Sequence, residues 1–255
     1  MGNNEPNRQC KISDLVMELF FSENLTTNDE KVTFESGESR HLTKVLRKQA
    51  NDIIRVTNGK GLEWIGEIES TDHRKVSAIK KEIISHQPDI SGLHIAIAPT
   101  KNNDRMEWFL EKATEIGITE ITPIVCDHSE RRNIKSDRMK KILVGALKQS
   151  ARFFLPQLNH LVSFETFIEG QHPEIKLLAH CQTNLKTPLQ KVEHLNREVL
   201  IMIGPEGDFS EKEIAMANDL GFLSISLGNQ RLRTETAGVV ACSKLATLRE
   251  LSLSV

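Results

Sequence analysis

The chain has 255 residues, with 33 Lys and Arg against 35 Asp and Glu, a formal net charge of −2, and 38% hydrophobic and 5% aromatic residues. This is a globular composition for one or two domains of roughly 150 residues, and it excludes a disordered tail or a collagen-like repeat. No stretch approaches the roughly 18 consecutive apolar residues of a membrane span.

Residues 1–16 read as an extension ahead of a start at Met17; they lack a cationic flank followed by an apolar stretch, and Pro6 breaks an N-myristoylation pattern. From Leu19 to about Ile84 the apolar pattern is short and alternating, at 31–34, 53–56, 62–68 and 75–79, with a hairpin turn at Asn58, Gly59, Lys60 and Gly61. These signals predict a small β-barrel over 17–86, with a short helix over 41–47. A polar, Pro- and Gly-bearing linker is expected over 85–92.

Over 91–255 the texture is α/β. A strand at 93–98 precedes Met106, Phe109, Leu110, Ala113 and Ile116 at helical spacing, with Gly117 as the C-cap. A strand at 118–125 follows, then a helix capped by Ser136 with a core face of Met139, Ile142, Leu143, Ala146 and Ser150. Further strands fall at 175–179, 199–203 and 222–227, and helices at 211–220 and about 235–251. Strands alternating with helices predict a mostly parallel sheet covered on both faces.

Cys10, Cys126, Cys181 and Cys242 are too scattered for a CxxC site or a disulfide framework, so a reducing cytoplasm is the expected compartment. The nine histidines show no ligand spacing, and no metal is expected.

Two loops carry the chemistry. Gly204, Pro205, Glu206 and Gly207 follow a buried strand, and Ser210 with Glu213 forms a capping box that opens the next helix. Glycines let a ligand approach the backbone, and ligands bind at the carboxyl ends of parallel strands. Read alone, the loop is either such a cradle or a tight turn with no ligand; it is neither a Walker loop nor G-x-G-x-x-G. The second loop runs from Leu227 and Gly228 through Leu232 and Arg233 to Thr234, the expected N-cap of the last helix. A cation beside a helix N-terminus is locally unfavourable, so Arg233 either serves an anionic partner elsewhere or pairs with Glu206 or Glu235.

Met106-Glu-Trp-x-x-x-Lys112-Ala-Thr-Glu-x-Gly117, Gln149-Ser150-x-Arg152, the loop from Ile203 to Ser210 and the run from Leu227 to Ala237 together resemble the ribosomal RNA small-subunit uridine-N3 methyltransferases (RsmE family) of the SPOUT class. Arg40, His41, Leu42, Val45, Leu46 and Arg47 resemble that family's PUA-like or OB-like barrel. The likeness covers about residues 17–251; Asp208 departs from a glycine common in the family. It implies a SPOUT domain with a C-terminal trefoil knot, a homodimer, and methylation of uridine N3 in 16S ribosomal RNA of the small subunit. It implies S-adenosylmethionine bound by Ile203, Gly204, Glu206, Gly207, Leu227, Gly228, Leu232 and Thr234.

For that reaction Arg233 is the expected catalytic cation beside the uracil oxygens, and Glu235 is expected to orient it or accept the proton. Residues 131–152 hold eight Lys or Arg and one acid. Arg131, Arg132, Lys135 and Arg152 there, and Arg40, Lys44 and Arg47 on the barrel, are either solvated helix faces or the RNA footprint. A non-catalytic RNA-binding protein on the same scaffold, or an enzyme acting on another RNA base, remains the alternative.

Overall fold

The computed structural model describes residues 18–89, 91–182 and 185–253; the expected start at Met17 and the extension 1–16 lie outside them. The chain divides into two compact units. Of the described residues, one contains those up to Asn58 together with Leu62–His86, and the other contains Gly59–Gly61 and those from Gln87 onward.

The smaller unit is built from β1 (Leu19–Phe21), β2 (Lys31–Thr33), α1 (Ser36–Arg40), β3 (Ile53–Thr57), β4 (Leu62–Ser70) and β5 (Ser77–Ser85). The expected barrel takes the form of a curled five-stranded sheet ordered β1-β3-β4-β5-β2. Irregularities in the β4–β5 pairing at Ile65/Gly66 and Ile68/Ser70 bend it around Phe20, Leu42, Ile54, Val56 and Trp64. Gly66 is required there, because a Cβ would fall 2.1 Å from the Trp64 ring. The short helix begins at Ser36 rather than His41, runs on as a π-helical turn over His41–Val45, and stops before Arg47, whose φ is +53°. β5 extends to Ser85, paired with Leu62, so the ladder continues into the expected linker despite its polar side chains.

The larger unit contains β6 (Leu93–Ile97), α2 (Asn103–Ile116), β7 (Glu120–Val125), α3 (Ser136–Gln149), β8 (Gln157–Leu158), β9 (Val162–Ser163), α4 (Phe164–Ile168), β10 (Ile175–Ala179), β11 (Thr187–Pro188), β12 (Val199–Ile203), α5 (Glu211–Asp219), β13 (Leu223–Ser226) and α6 (Thr234–Leu253). Every pairing between these strands is parallel, in the order β11-β13-β10-β12-β6-β7-β8, with β9 beside β7. The central strands are buried on both faces: Ile95, Ile97, Ile201 and Ile203 pack with α2, α3 and α6, while Ala96, Leu200 and Met202 pack with α4 and α5.

Gly117 closes α2 in the left-handed region at φ +119°, as its spacing predicts. Ser136 is instead the first residue of α3, and Lys135 occupies the N-cap with no side-chain bond. At the far end of α6 the Arg249 guanidinium donates to the carbonyls of Leu195 at 2.8 Å, Arg197 at 2.8 Å and Gly92 at 3.2 Å. Among the described residues no helix is long and apolar enough to cross a membrane.

Candidate active site

At the carboxyl ends of β10, β12 and β13 the loops enclose a cavity of about 550 Å³, within the usual range for a small-molecule site. Of the eight residues expected to hold the cofactor, Ile203, Gly204, Glu206, Leu227, Gly228, Leu232 and Thr234 line it, and Arg233 stands in its wall. Gly228 has φ +152°, and a Cβ there would meet nothing within 4 Å, so the glycine keeps backbone and space open to a ligand.

Thr234 does not play the expected capping role with its hydroxyl. Its Oγ1 donates to the Gly204 carbonyl at 3.0 Å and ties the two loops together, while the Arg233 carbonyl accepts the first helical bond from Ala237 at 2.7 Å.

Gly207 faces elsewhere: a Cβ on it would sit 2.8 Å from His128 Cβ, so it permits close packing against the loop after β7. Asp208 occupies the left-handed region at φ +66°. Its carboxylate accepts from the Cys181 amide at 2.8 Å and the Phe209 amide at 2.9 Å, which turns the departure from glycine into a bridge between the β10 and β12 loops. The capping box forms as expected, and Glu213 has a second use: one oxygen accepts from Ser210 at 2.8 Å and the other from the Asp127 amide at 2.9 Å.

The Arg233 side chain is exposed and makes no hydrogen bond or ion pair among the described residues, so neither Glu206 nor Glu235 holds it. Glu206 accepts from the Lys101 amide at 3.2 Å. Glu235 is 6% exposed and outside the cavity wall. One residue along α6 from Thr234 it is turned by about 100°, with Oε1 3.8 Å from Arg105 Nε and Oε2 buried without a hydrogen-bond partner among the described residues. It therefore neither orients Arg233 nor faces the reaction space.

Sequence reasoning missed His180 and Lys186, which also line the cavity. Both His180 ring nitrogens are buried and without a partner among the described residues, and burial, reinforced by the Lys186 ammonium, lowers its pKa. Its place directly after a buried parallel strand was the available signal.

The proposed RNA contacts separate by location. Arg131, Arg132 and Lys135 follow β7 on the same carboxyl edge as the cavity; Arg131 bonds the Asn103 side chain, and Arg132 Nη2 lies 3.4 Å from the Asp127 carbonyl. Arg152 lies at the opposite edge and is half-buried. Its Nε and Nη2 donate to the carbonyls of Glu115 at 3.0 Å and Ile116 at 2.6 Å, closing the end of α2, so its function there is structural. In the smaller unit Arg40, Lys44 and Arg47 are exposed and unpaired among the described residues. Trp108 on α2 is 42% exposed. Among the described residues no group of three or more His, Cys, Asp or Glu could hold a metal ion.

The sequence that folds into this curled β unit and parallel sheet matches two family models: an RNA methyltransferase domain over residues 87–246 and an RNA methyltransferase PUA domain over 34–81. The class is thus an RNA methyltransferase with a PUA domain. The ribosomal RNA small subunit methyltransferase E of Buchnera aphidicola subsp. Acyrthosiphon pisum is 30% identical over 84% of this chain and 87% of its own length. That of Rickettsia conorii is 27% identical over 90% and 95%. A Porphyromonas gingivalis structure described as a "probable rRNA-methyltransferase" is 37% identical, with a TM-score of 0.85 over 92% of this chain and 100% of that one. A ribosomal RNA small subunit methyltransferase E from Neisseria gonorrhoeae, solved bound to S-adenosyl methionine, is 26% identical, with a TM-score of 0.79 over 91% and 98%. The chain belongs to the ribosomal RNA small subunit methyltransferase E family.

Proposed function

We propose that this protein transfers a methyl group from S-adenosylmethionine to N3 of a uridine in 16S ribosomal RNA of the small subunit. The observation that carries the reading is the convergence of two separated loops, 203–208 and 227–234, on one cavity with Arg233 in its wall. The walls fit the cofactor: Ile203, Ile225, Leu227 and Leu232 offer apolar surface to a purine, the backbone beside Gly228 is open, and Glu206 and Asp208 suit hydroxyl groups and a positive sulfur. When bound, the cofactor supplies an electrophilic methyl on a sulfonium.

The chain's own residues have two tasks. Thr234, Asp208 and Glu206 fix the loops so that the methyl has one position, since alignment of the reacting atoms is a large part of such a rate enhancement. Arg233, whose side chain has no partner among the described residues, stabilises the negative charge that spreads to the uracil oxygens as N3 loses its proton. The carbon–nitrogen bond forms as the carbon–sulfur bond breaks, and the N3 proton passes to solvent. Arg131, Arg132 and Lys135 on the cavity edge, with Arg40, Lys44 and Arg47 on the PUA domain, neutralise RNA phosphates in the cytoplasm.

The family resemblance carries two further parts of the reading. The last segment is threaded as a trefoil knot, consistent with the Thr234–Gly204 bond and with α6 returning to α2 beneath the cavity loops. Two copies pair as a homodimer. The test incubates unmodified small ribosomal subunits with methyl-labelled S-adenosylmethionine and identifies the labelled nucleoside; N3-methyluridine is expected. Cofactor binding without transfer would leave only an RNA-binding protein, and another labelled nucleoside would overturn the position.

A further inference from the structure

The loop after β7 is lashed to the cofactor loop, and it also carries Arg131 and Arg132. The Asp127 amide donates to Glu213 Oε1 at 2.9 Å, and the Ser210 hydroxyl donates to Asp127 Oδ2 at 2.6 Å. His128 Nδ1 lies 3.1 Å from the Gly207 carbonyl and 3.1 Å from the Asp208 carbonyl. Both partners can only accept, so Nδ1 carries the proton and one imidazole N–H bridges two successive carbonyls. His128 Cβ meanwhile packs against the bare face of Gly207. Asp208, held by His128 on its carbonyl, is the residue whose carboxylate reaches across to Cys181 in the cavity wall. The path from the arginines is short: Arg132 reaches the Asp127 carbonyl, and Asp127 and His128 hold Ser210, Gly207 and Asp208.

We propose that His128 is a positioning residue that couples RNA binding to cofactor binding. RNA phosphates on Arg131 and Arg132 settle the loop 126–132, and the imidazole N–H then fixes the Gly207 and Asp208 carbonyls in the arrangement the cofactor needs. The enzyme on its ribosomal substrate holds cofactor more tightly than the free enzyme does. Coupling between binding equilibria is reciprocal, so cofactor strengthens RNA binding by the same factor. This inference rests on the function proposed above, and it adds how the two substrates find each other.

The test measures the dissociation constant of S-adenosylhomocysteine, which has no methyl to transfer, by equilibrium dialysis with and without saturating unmodified small ribosomal subunits. The wild-type enzyme should bind it about fivefold or more tightly on the subunit, the lower end of typical coupling. His128→Ala keeps Cβ and loses the donor, and its ratio should fall to within about twofold of one. His128→Asn, whose side-chain amide can donate to a carbonyl, should recover part of the ratio, an effect that mere loss of stability does not produce. Thermal unfolding of each variant confirms that it is folded. A wild-type ratio of one, or a wild-type ratio retained in His128→Ala, would overturn the coupling while leaving the methyltransferase reading intact. A wild-type enzyme that does not bind subunits at all would remove the RNA reading itself and the coupling with it.

Discussion

Replacing Gly207 by Ala tests whether the cofactor loop is held by contact with the neighbouring loop. The new Cβ would lie 2.8 Å from His128 Cβ, and ordinary contact begins at 3.4 Å, so one loop must yield by 3.4 − 2.8 = 0.6 Å. Neither is free to do so: Thr234 and Asp208 hold one, and Glu213 and Ser210 hold the other. Overpacking of this kind costs about 1–3 kcal/mol. If the fold absorbs the cost, the melting temperature falls by about 2–12 °C for a domain of this size. If the loop moves instead, the same energy appears as a cofactor affinity weakened by about 5–150-fold. Thermal unfolding and calorimetric titration with S-adenosylmethionine measure the two shares. His128→Gly removes the opposing Cβ, so the double variant should recover a large part of the loss, with a coupling energy of about 1 kcal/mol or more. A Gly207→Ala protein unchanged in both measurements, or a double variant whose effects simply add, would refute the steric argument.

Other residues give separable outcomes. Arg233→Ala should lower kcat by about 100-fold or more, as loss of a charge-stabilising donor does, with cofactor affinity within about twofold of wild type; single-turnover methylation measures it. Thr234→Val removes a buried bond to the Gly204 carbonyl and should cost about 1–2 kcal/mol in denaturant unfolding. Arg152→Ala should destabilise the fold by about 2 kcal/mol through the freed carbonyls of α2 and leave RNA affinity unchanged. Arg131→Glu with Arg132→Glu should do the reverse, weakening RNA binding and flattening its salt dependence. Stability should also depend on pH through His94. Burial is the main reason its pKa is lowered to about 4 from an ordinary 6.5. Because the folded value lies below the unfolded one, this stability is complete above 6.5 and is lost as pH falls toward 4. The loss should reach about 2 kcal/mol at pH 5 and be absent in His94→Asn; denaturation at pH 7 and pH 5 decides.

Periodicity located the long elements because burial on one face or both leaves a repeat in the sequence. The strands at 175–179 and 199–203 have the observed ends, and α2 ends at the glycine that its spacing marks. It failed for β8, β9 and β11, where two residues cannot establish a period. It also failed for β5 beyond Ile79, where a backbone ladder runs through Lys80, Lys81 and Glu82. The cavity was legible because its lining comes from contiguous loops. Glu235 was misplaced because it adjoins Arg233 and Thr234 in sequence, while the first turn of α6 directs its side chain away from the cavity that they line. Arg152 was misplaced because a cation near a cationic run reads as surface until the α2 carbonyls it closes are seen. His128 left no local signal, because its partners lie 79 and 80 residues away.

The contacts of α6 at its two ends bear on synthesis. Thr234 joins it to the Gly204 loop, and Arg249 fastens the other end to Leu195, Arg197 and Gly92, so one 20-residue helix staples both edges of the sheet. A polypeptide emerging from the ribosome has every other wall of the cavity before it has this staple. Translation that stops between Thr234 and Arg249 therefore leaves the cavity loops tied to a helix whose far end lacks its polar clasp.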